Sequence, residues 1–306
     1  MLSFNLNVTQ PSKLIRYHCL QGLMTLMLFC SYQALGSSEN RLITAGGSIT
    51  EVVYALGKGD QIVATDSTSM YPEPASRLPK IGYFRQIGTE SILSFSPTHL
   101  IGAAATGPQG MLEQLTEIGV TVHILGEDKS LPGLQALILQ VGQLLNTESK
   151  ARQLITNIQS DVEQLQETAK NTIQHHNVTA LYVLSSGDRG LTVAGSNTVP
   201  QALFDALGIH NAAEPLDGYK VMDNEAIVAA NPDIIFLASH RFPADTNHNQ
   251  ICQHPALVAT NAARTCNVHT LDSSKSLGLS PRFPEAMEEI LSLSTEVLAT
   301  TASLVK

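Results

Sequence analysis

Two tyrosines stand in similar settings in this 306-residue chain. Tyr83 follows Gly82 and stands two residues before Arg85, in Gly82-Tyr83-Phe84-Arg85, while Tyr219 follows Gly218 and precedes Lys220. A free phenol titrates near pH 10. It ionises near neutrality only beside a cation or a metal ion, and is then a hard oxygen ligand. Arg85 is the nearest candidate cation to Tyr83 in sequence. A second setting is Gly46-Gly47-Ser48-Ile49-Thr50-Glu51. Its glycines let a backbone turn sharply and approach a ligand, a helix starting there favours anions, and Ser48 with Glu51 has the spacing of a capping box. A plain strand-to-helix turn is the alternative. His240-Arg241 is a third polar pair. No nucleophile beside a base, no paired carboxylates and no Cys/His cluster at zinc spacing occurs, which disfavours an enzyme.

These residues need elements to position them. Short apolar runs at 42–45, 61–65, 99–103, 120–125, 179–184, 233–238 and 268–271 read as strands. Amphipathic segments at 49–56, 109–118, 131–145, 200–207 and 225–230 read as helices between them. Such alternation predicts parallel sheets with helices on both faces. Residues 148–174 differ. Ala151, Leu154, Ile155, Ile158, Val162, Leu165, Ala169 and Ile173 recur at steps of three and four, one apolar stripe on a single long helix that Thr147 can cap. Placed midway, it reads as a connector. His175-His176 at its end suits the helix dipole rather than a metal.

An internal repeat points to two lobes of one plan. Glu90, Ile92, Leu93, Pro97, Leu100 and Ile101 match Glu225, Ile227, Val228, Pro232, Ile235 and Phe236 at a constant offset of 135. Each copy reads as a helix, a proline that stops it, and a buried strand. Gly82-Tyr83 and Gly218-Tyr219 stand ahead of the copies, one residue out of step. Ala45-Gly46-Gly47-Ser48 with Ala55-Leu56-Gly57 echoes Ala194-Gly195-Ser196-Asn197 with Ala206-Leu207-Gly208. The expected fold is α/β: two Rossmann-like lobes with mainly parallel sheets, joined by one long rigid helix. The boundaries are a first lobe at 37–146, the connecting helix at 147–176 and a second lobe at 177–306.

Composition is 43% hydrophobic and 15% charged, which fits a globular chain. The absence of basic blocks argues against a nucleic-acid partner. At the amino terminus Lys13 and Arg16 precede an apolar stretch from Leu20 to Phe29, followed by Ala34-Leu35-Gly36. That pattern predicts a secretory signal over 1–36, cleaved near Gly36. Its apolar part is about ten residues, short of the ~20 that span a bilayer. Without it, 16 basic residues face 27 acidic ones, a charge that aids solubility. Cys252 and Cys266 remain, with 13 residues between them. They form a disulfide in an oxidising compartment, or stand as two separate buried thiols. His248 and His254 lie in a polar loop and are expected to face solvent.

Ala45-Gly46-Gly47-Ser48, the run from Asp66 to Pro72, the run from Leu78 to Arg85, Glu90-Ser91-Ile92-Leu93 and Asn231-Pro232-Asp233-Ile234-Ile235 together resemble the haem-binding periplasmic proteins of bacterial haem ABC importers. The resemblance extends from about Arg41 to near the end. Its broader pattern is shared with vitamin B12 and siderophore binding proteins, and the Gly82-Tyr83-Phe84-Arg85 segment is similar to the haem branch. The resemblance implies a periplasmic monomer with no membrane span of its own. It would hold haem between its lobes as cargo, without catalysis or a catalytic cofactor, and deliver it to an inner-membrane permease dimer with its ATPase. Tyr83 is then the implied ligand of the haem iron, a tyrosine role with precedent, and Arg85 its assistant. Tyr71 is a competing ligand without the Gly and Arg neighbours. Gly47, Ser48, Tyr219, Lys220 and either His240 or Arg241 are implied haem contacts, and Glu51 and Glu225 implied docking carboxylates for the permease. Some relatives carry a histidine after the first strand of the second lobe that helps to hold a second haem. Leu184-Ser185-Ser186-Gly187 has none, which speaks against two haems. The alternatives are cobalamin or a ferric siderophore as cargo, and a chelatase-like enzyme.

Overall fold

The computed structural model describes residues 40–126, 128–187, 190–243 and 246–304. The expected signal segment lies outside the described residues.

The first lobe runs β1 (Leu42–Ala45), α1 (Gly47–Ala55), β2 (Ile62–Thr65), α2 (Glu73–Ser76), α3 (Thr89–Leu93), β3 (His99–Ala103), α4 (Gln109–Glu117), β4 (Thr121–Leu125) and α5 (Leu131–Leu144). Its four strands are all parallel, in the order β2-β1-β3-β4. Fully buried β1 needs apolar residues on both faces, and Leu42-Ile43-Thr44-Ala45 supplies them. Helix α6 (Glu148–Thr172) follows and buries Ala151, Ile158, Val162 and Ala169 along one stripe. Thr147 stands at its N-cap position, but the Thr147 side chain does not cap the helix; its hydroxyl donates to Gly142 O at 3.5 Å instead.

The second lobe comprises β5 (Thr179–Gly187), β6 (Gly190–Ala194), α7 (Val199–Leu207), β7 (His210–Asn211), β8 (Tyr219–Met222), α8 (Asn224–Ala230), β9 (Ile234–Ala238), α9 (His248–Cys252), α10 (Asn261–Thr265), β10 (Val268–Leu271), α11 (Ser273–Ser276) and α12 (Phe283–Leu304). Its sheet is mixed, in the order β10-β9-β5-β6-β8, with β7 beside the start of β5. The pairs β5–β6 and β6–β8 are antiparallel. The expectation of mainly parallel sheets holds: every pair of the first lobe is parallel, as are β10–β9, β9–β5 and β5–β7 of the second. Largely exposed β8 lacks the buried aliphatic run by which a parallel strand is recognised, and β6, which buries Leu191, Val193 and Ala194, is a short strand that follows β5 directly in a hairpin.

The repeat has a backbone counterpart. Ser96 and Asn231, 135 residues apart, both end a helical turn with positive φ, 46° and 43°, ahead of Pro97 and Pro232. Gly82 and Gly218 also have positive φ, 102° and 71°, each just before its tyrosine. The third echo matches in chain order only, because β1 lies in a parallel sheet and β6 is antiparallel to its neighbours.

One hydrophobic cluster runs through both lobes. Leu42, Ile49 and Val53 of the first join Leu137 and Val141 of α5, Ile158 and Val162 of α6, and Phe204, Phe236 and Phe283 of the second. The lobes therefore share apolar burial along the connecting helix. Each keeps a further cluster on the other face of its sheet. Cys252 and Cys266 are bonded as a disulfide, with Cα atoms 5.6 Å apart, tying α9 to the end of α10. No described helix is long and apolar enough to cross a membrane.

Candidate ligand cleft

Ligands of α/β folds sit at the carboxyl ends of the strands, and the loops there are built from the inside out. At the end of β2, fully buried Asp66 accepts four hydrogen bonds. They come from the backbone of Gly46 (3.0 Å) and Thr68 (2.9 Å), and from the hydroxyls of Thr68 (2.6 Å) and Ser69 (2.7 Å). A carboxylate so satisfied ties the β1–α1 turn to the 66–71 loop. That loop in turn holds the tyrosine loop, since Ser67 N–H donates to Gly82 O at 2.8 Å. From the other side Gly107 N–H donates to Phe84 O at 3.0 Å, and Ile87 N–H to Gly107 O at 3.0 Å. Gly82 to Arg85 is thereby fixed on both flanks.

Tyr83 remains 45% exposed. Its ring meets Phe84 edge-on, centroids 5.0 Å apart, and the Arg85 guanidinium lies 5.3 Å from the centre of the Phe84 ring. Half-buried Phe84 packs into the core and carries both neighbours on its flanks. Tyr219 of the opposite lobe is 41% exposed. Burial of its phenol pushes its pKa up to about 12, against the pull of the Arg85 charge. The charge of Arg85 is therefore felt at Tyr219 of the second lobe. Burial also lowers Lys129, and Arg85 lowers it further, which brings a second cation to this region. Lys129 is a residue that sequence reasoning missed; its polar loop carries no motif. With Ser130, Gln166, Asn197, Thr198 and Gln201 it lines a cavity of about 850 Å³ between the lobes. Tyr83 and Tyr219 are not among the side chains that line that cavity.

Other expected contacts are placed differently. Helix α1 begins at Gly47 with Gly46 (φ 109°) as N-cap, so Ser48 and Glu51 lie inside the helix and form no capping box. The Gly47 N–H is taken by the Thr68 hydroxyl at 3.1 Å. Ser48 is buried, so near Gly278 of the second lobe that a Cβ there would come within 3.3 Å of its oxygen. Alternation along β8 sends Tyr219 and Val221 to one face and Lys220 and Met222 to the other. Met222 is buried in the second-lobe core, so Lys220 does not share the face of Tyr219. His240 is exposed and held by Ser273, whose Oγ lies 2.8 Å from Nδ1 and accepts the His240 N–H at 3.0 Å. Partial burial and then Arg241 lower its pKa, which favours the neutral ring. Arg241 is exposed. His248 and His254 do not face solvent freely. The first lies 3.0 Å from Thr270 Oγ1 and the second 3.3 Å from Ser186 Oγ, both half-buried.

Of the two docking carboxylates, only Glu51 needs correction. Glu51 is only 5% exposed and forms a bidentate ion pair with Arg282, at 2.9 and 2.7 Å. It is not a surface group, because the second lobe packs Arg282 onto it. Glu225 is exposed in the first turn of α8, a helix capped by Asp223. Tyr71 has its ring 3.9 Å from the Arg282 guanidinium carbon, so one face is already covered.

Three comparisons bear on this geometry. The solved apo structure of the periplasmic heme-binding protein RhuT from Roseiflexus sp. RS-1 is 29% identical, with a TM-score of 0.79 over 85% of this chain and 99% of that one. The ABC transporter substrate-binding lipoprotein YvrC of Bacillus subtilis is 25% identical over 82% of this chain and 78% of its own length. The vitamin B12-binding protein of Vibrio parahaemolyticus is 26% identical over 72% and 78%. A family model described as periplasmic binding protein matches residues 42–275. The chain belongs to the periplasmic binding protein family, as a substrate-binding protein and not an enzyme.

Proposed function

We propose that the protein captures one ferric haem between its lobes in the periplasm and hands it to an ABC permease. The carrying observation is the fixed loop that presents an exposed Tyr83 beside Phe84 and Arg85, opposite a neutral Tyr219. Ionised Tyr83 is a hard anionic ligand suited to ferric iron, and Tyr219 acts as wall and hydrogen-bond donor. Met70, Tyr71, Tyr83, Tyr219 and Val221 are among the most exposed large apolar side chains of the described chain. A grouping of this kind at facing loops suits a flat apolar ligand. Arg85, Lys129 and one of His240 and Arg241 supply polar contacts for its carboxylates. Likeness to the heme-binding RhuT supports haem.

Delivery is proposed to use exposed Glu225 together with Glu90, its counterpart at the offset of 135, which is exposed in the first turn of α3. This pair replaces Glu51 in that role. Export through a cleaved signal and a monomeric state complete the proposal.

The test is a titration of the purified protein with hemin. A ferric tyrosinate absorption spectrum that Tyr83→Ala abolishes is the expected result; an unchanged spectrum in that variant would remove Tyr83 as ligand. Cobalamin is the second reading, favoured by the similarity to the B12-binding protein. Tight cobalamin binding with no hemin binding selects it.

A further inference from the structure

Away from the tyrosine loop, the two lobes meet through charge. Arg282 stands just ahead of α12, 7% exposed, and its Nε and Nη2 donate to the two carboxylate oxygens of Glu51 in α1. Nη2 also donates to Ser274 Oγ at 2.9 Å, and Nη1 lies 3.5 Å from Asp272. The Tyr71 ring covers the guanidinium at 3.9 Å. Glu51 and Tyr71 belong to the first lobe; Arg282, Ser274 and Asp272 belong to the second. A buried ion pair tolerates little play, because its desolvation is offset only when every contact is well made. Ser48 against Gly278 shows how closely the backbones approach there. Tyr71 rides on the same 66–71 loop whose Ser67 holds Gly82 at 2.8 Å, one residue from Tyr83. A continuous chain of contacts thus leads from Glu51 and Arg282, through Tyr71, to the tyrosine loop.

We infer that Glu51, Arg282 and Tyr71 form an interlobe clasp that sets the width of the ligand cleft, with Tyr71 as the positioning residue between clasp and Tyr83 loop. The clasp fixes the lobe angle before any ligand arrives, so capture proceeds by entry into a set gap. Arg282 orients Tyr71 through its ring face, which a phenylalanine also supplies. The Tyr71 hydroxyl has no part in it. Only the ligand arm of the following test rests on the haem reading.

The experiment measures the distance between spin labels at Glu117→Cys and Glu288→Cys, both exposed and one in each lobe. It uses the ligand-free protein with its disulfide intact. The starting protein gives one narrow distribution. Tyr71→Ala and Glu51→Gln broaden it, and Tyr71→Phe leaves it narrow. With hemin as probe, Tyr71→Ala raises the dissociation rate about tenfold, leaves the shape of the bound spectrum unchanged, and Tyr71→Phe restores the rate. A Tyr71→Ala distribution as narrow as the parent's overturns the clasp. Equal broadening by Tyr71→Phe overturns the role of the ring. Failure of the parent to bind hemin sinks the haem reading alone, while the distances still decide the clasp.

Discussion

The two tyrosine loops have the same plan and different electrostatics. Gly82 and Gly218 both turn with positive φ just before an exposed tyrosine. In the first lobe, Phe84 lies between Tyr83 and Arg85, so a phenol and a cation share one rigid support. In the second, Tyr219 lies on strand β8, which turns the next residue, Lys220, to the opposite face. Burial pushes the pKa of its phenol up to about 12. A duplicated motif thus yields one candidate metal ligand and one neutral wall, because a loop can place neighbouring side chains together and a strand cannot.

The largest effect should separate these loops directly. Tyr83→Ala is expected to lower hemin affinity at least about 100-fold and to erase the tyrosinate band, while Tyr219→Phe shifts affinity only a few-fold. Equal losses in absorbance titrations would show that both tyrosines hold the iron. Next comes the contrast between Glu51 and Glu225. Glu51→Ala removes the bidentate partner of buried Arg282, leaving Asp272 at 3.5 Å as its close counter-charge, and should cost about 3 kcal/mol in denaturant unfolding. Glu225→Ala, on the surface, should stay within about 0.5 kcal/mol. Reduction of the Cys252–Cys266 bond should cost the second lobe about 3 kcal/mol, read as a lowered unfolding midpoint that alkylation makes permanent. The smallest effect is in alkali. Because folding raises the Tyr219 pKa from 10.0 to about 12, its stabilising effect is complete below pH 10 and is lost between pH 10 and 12. Tyr219→Phe should flatten that part of the stability curve and remove one late-titrating phenol from the near-ultraviolet titration.

Much of this was legible in the chain. Each run expected as a strand is one, within a residue or two at most except for β5, which continues to Gly187 into the hairpin with β6. The long stripe of α6 was legible because seven turns of regular spacing leave little room for another period. Helix α12 was not read, although it covers Ile290 and Leu291 against the core. The Tyr83 setting was visible because its parts are adjacent. Glu51 was misassigned for the opposite reason: its partner is 231 residues away, and no local pattern carries that separation. Its buried state and the inward turn of Ser48 both follow from lobe-to-lobe packing, which spacing does not encode. Lys220 was misplaced because strand alternation applies only once β8 is known to be a strand.

The distance in sequence between Glu51 and Arg282 also orders the assembly of the molecule in time. The first lobe is synthesised long before Arg282 follows. Until then its α1 carboxyl has no counter-charge at the surface destined for burial. A nascent or clipped product that stops short of residue 282 therefore keeps an open seam between its lobes and a wet carboxylate where the finished protein is dry. The pairing that dries this seam waits for Arg282.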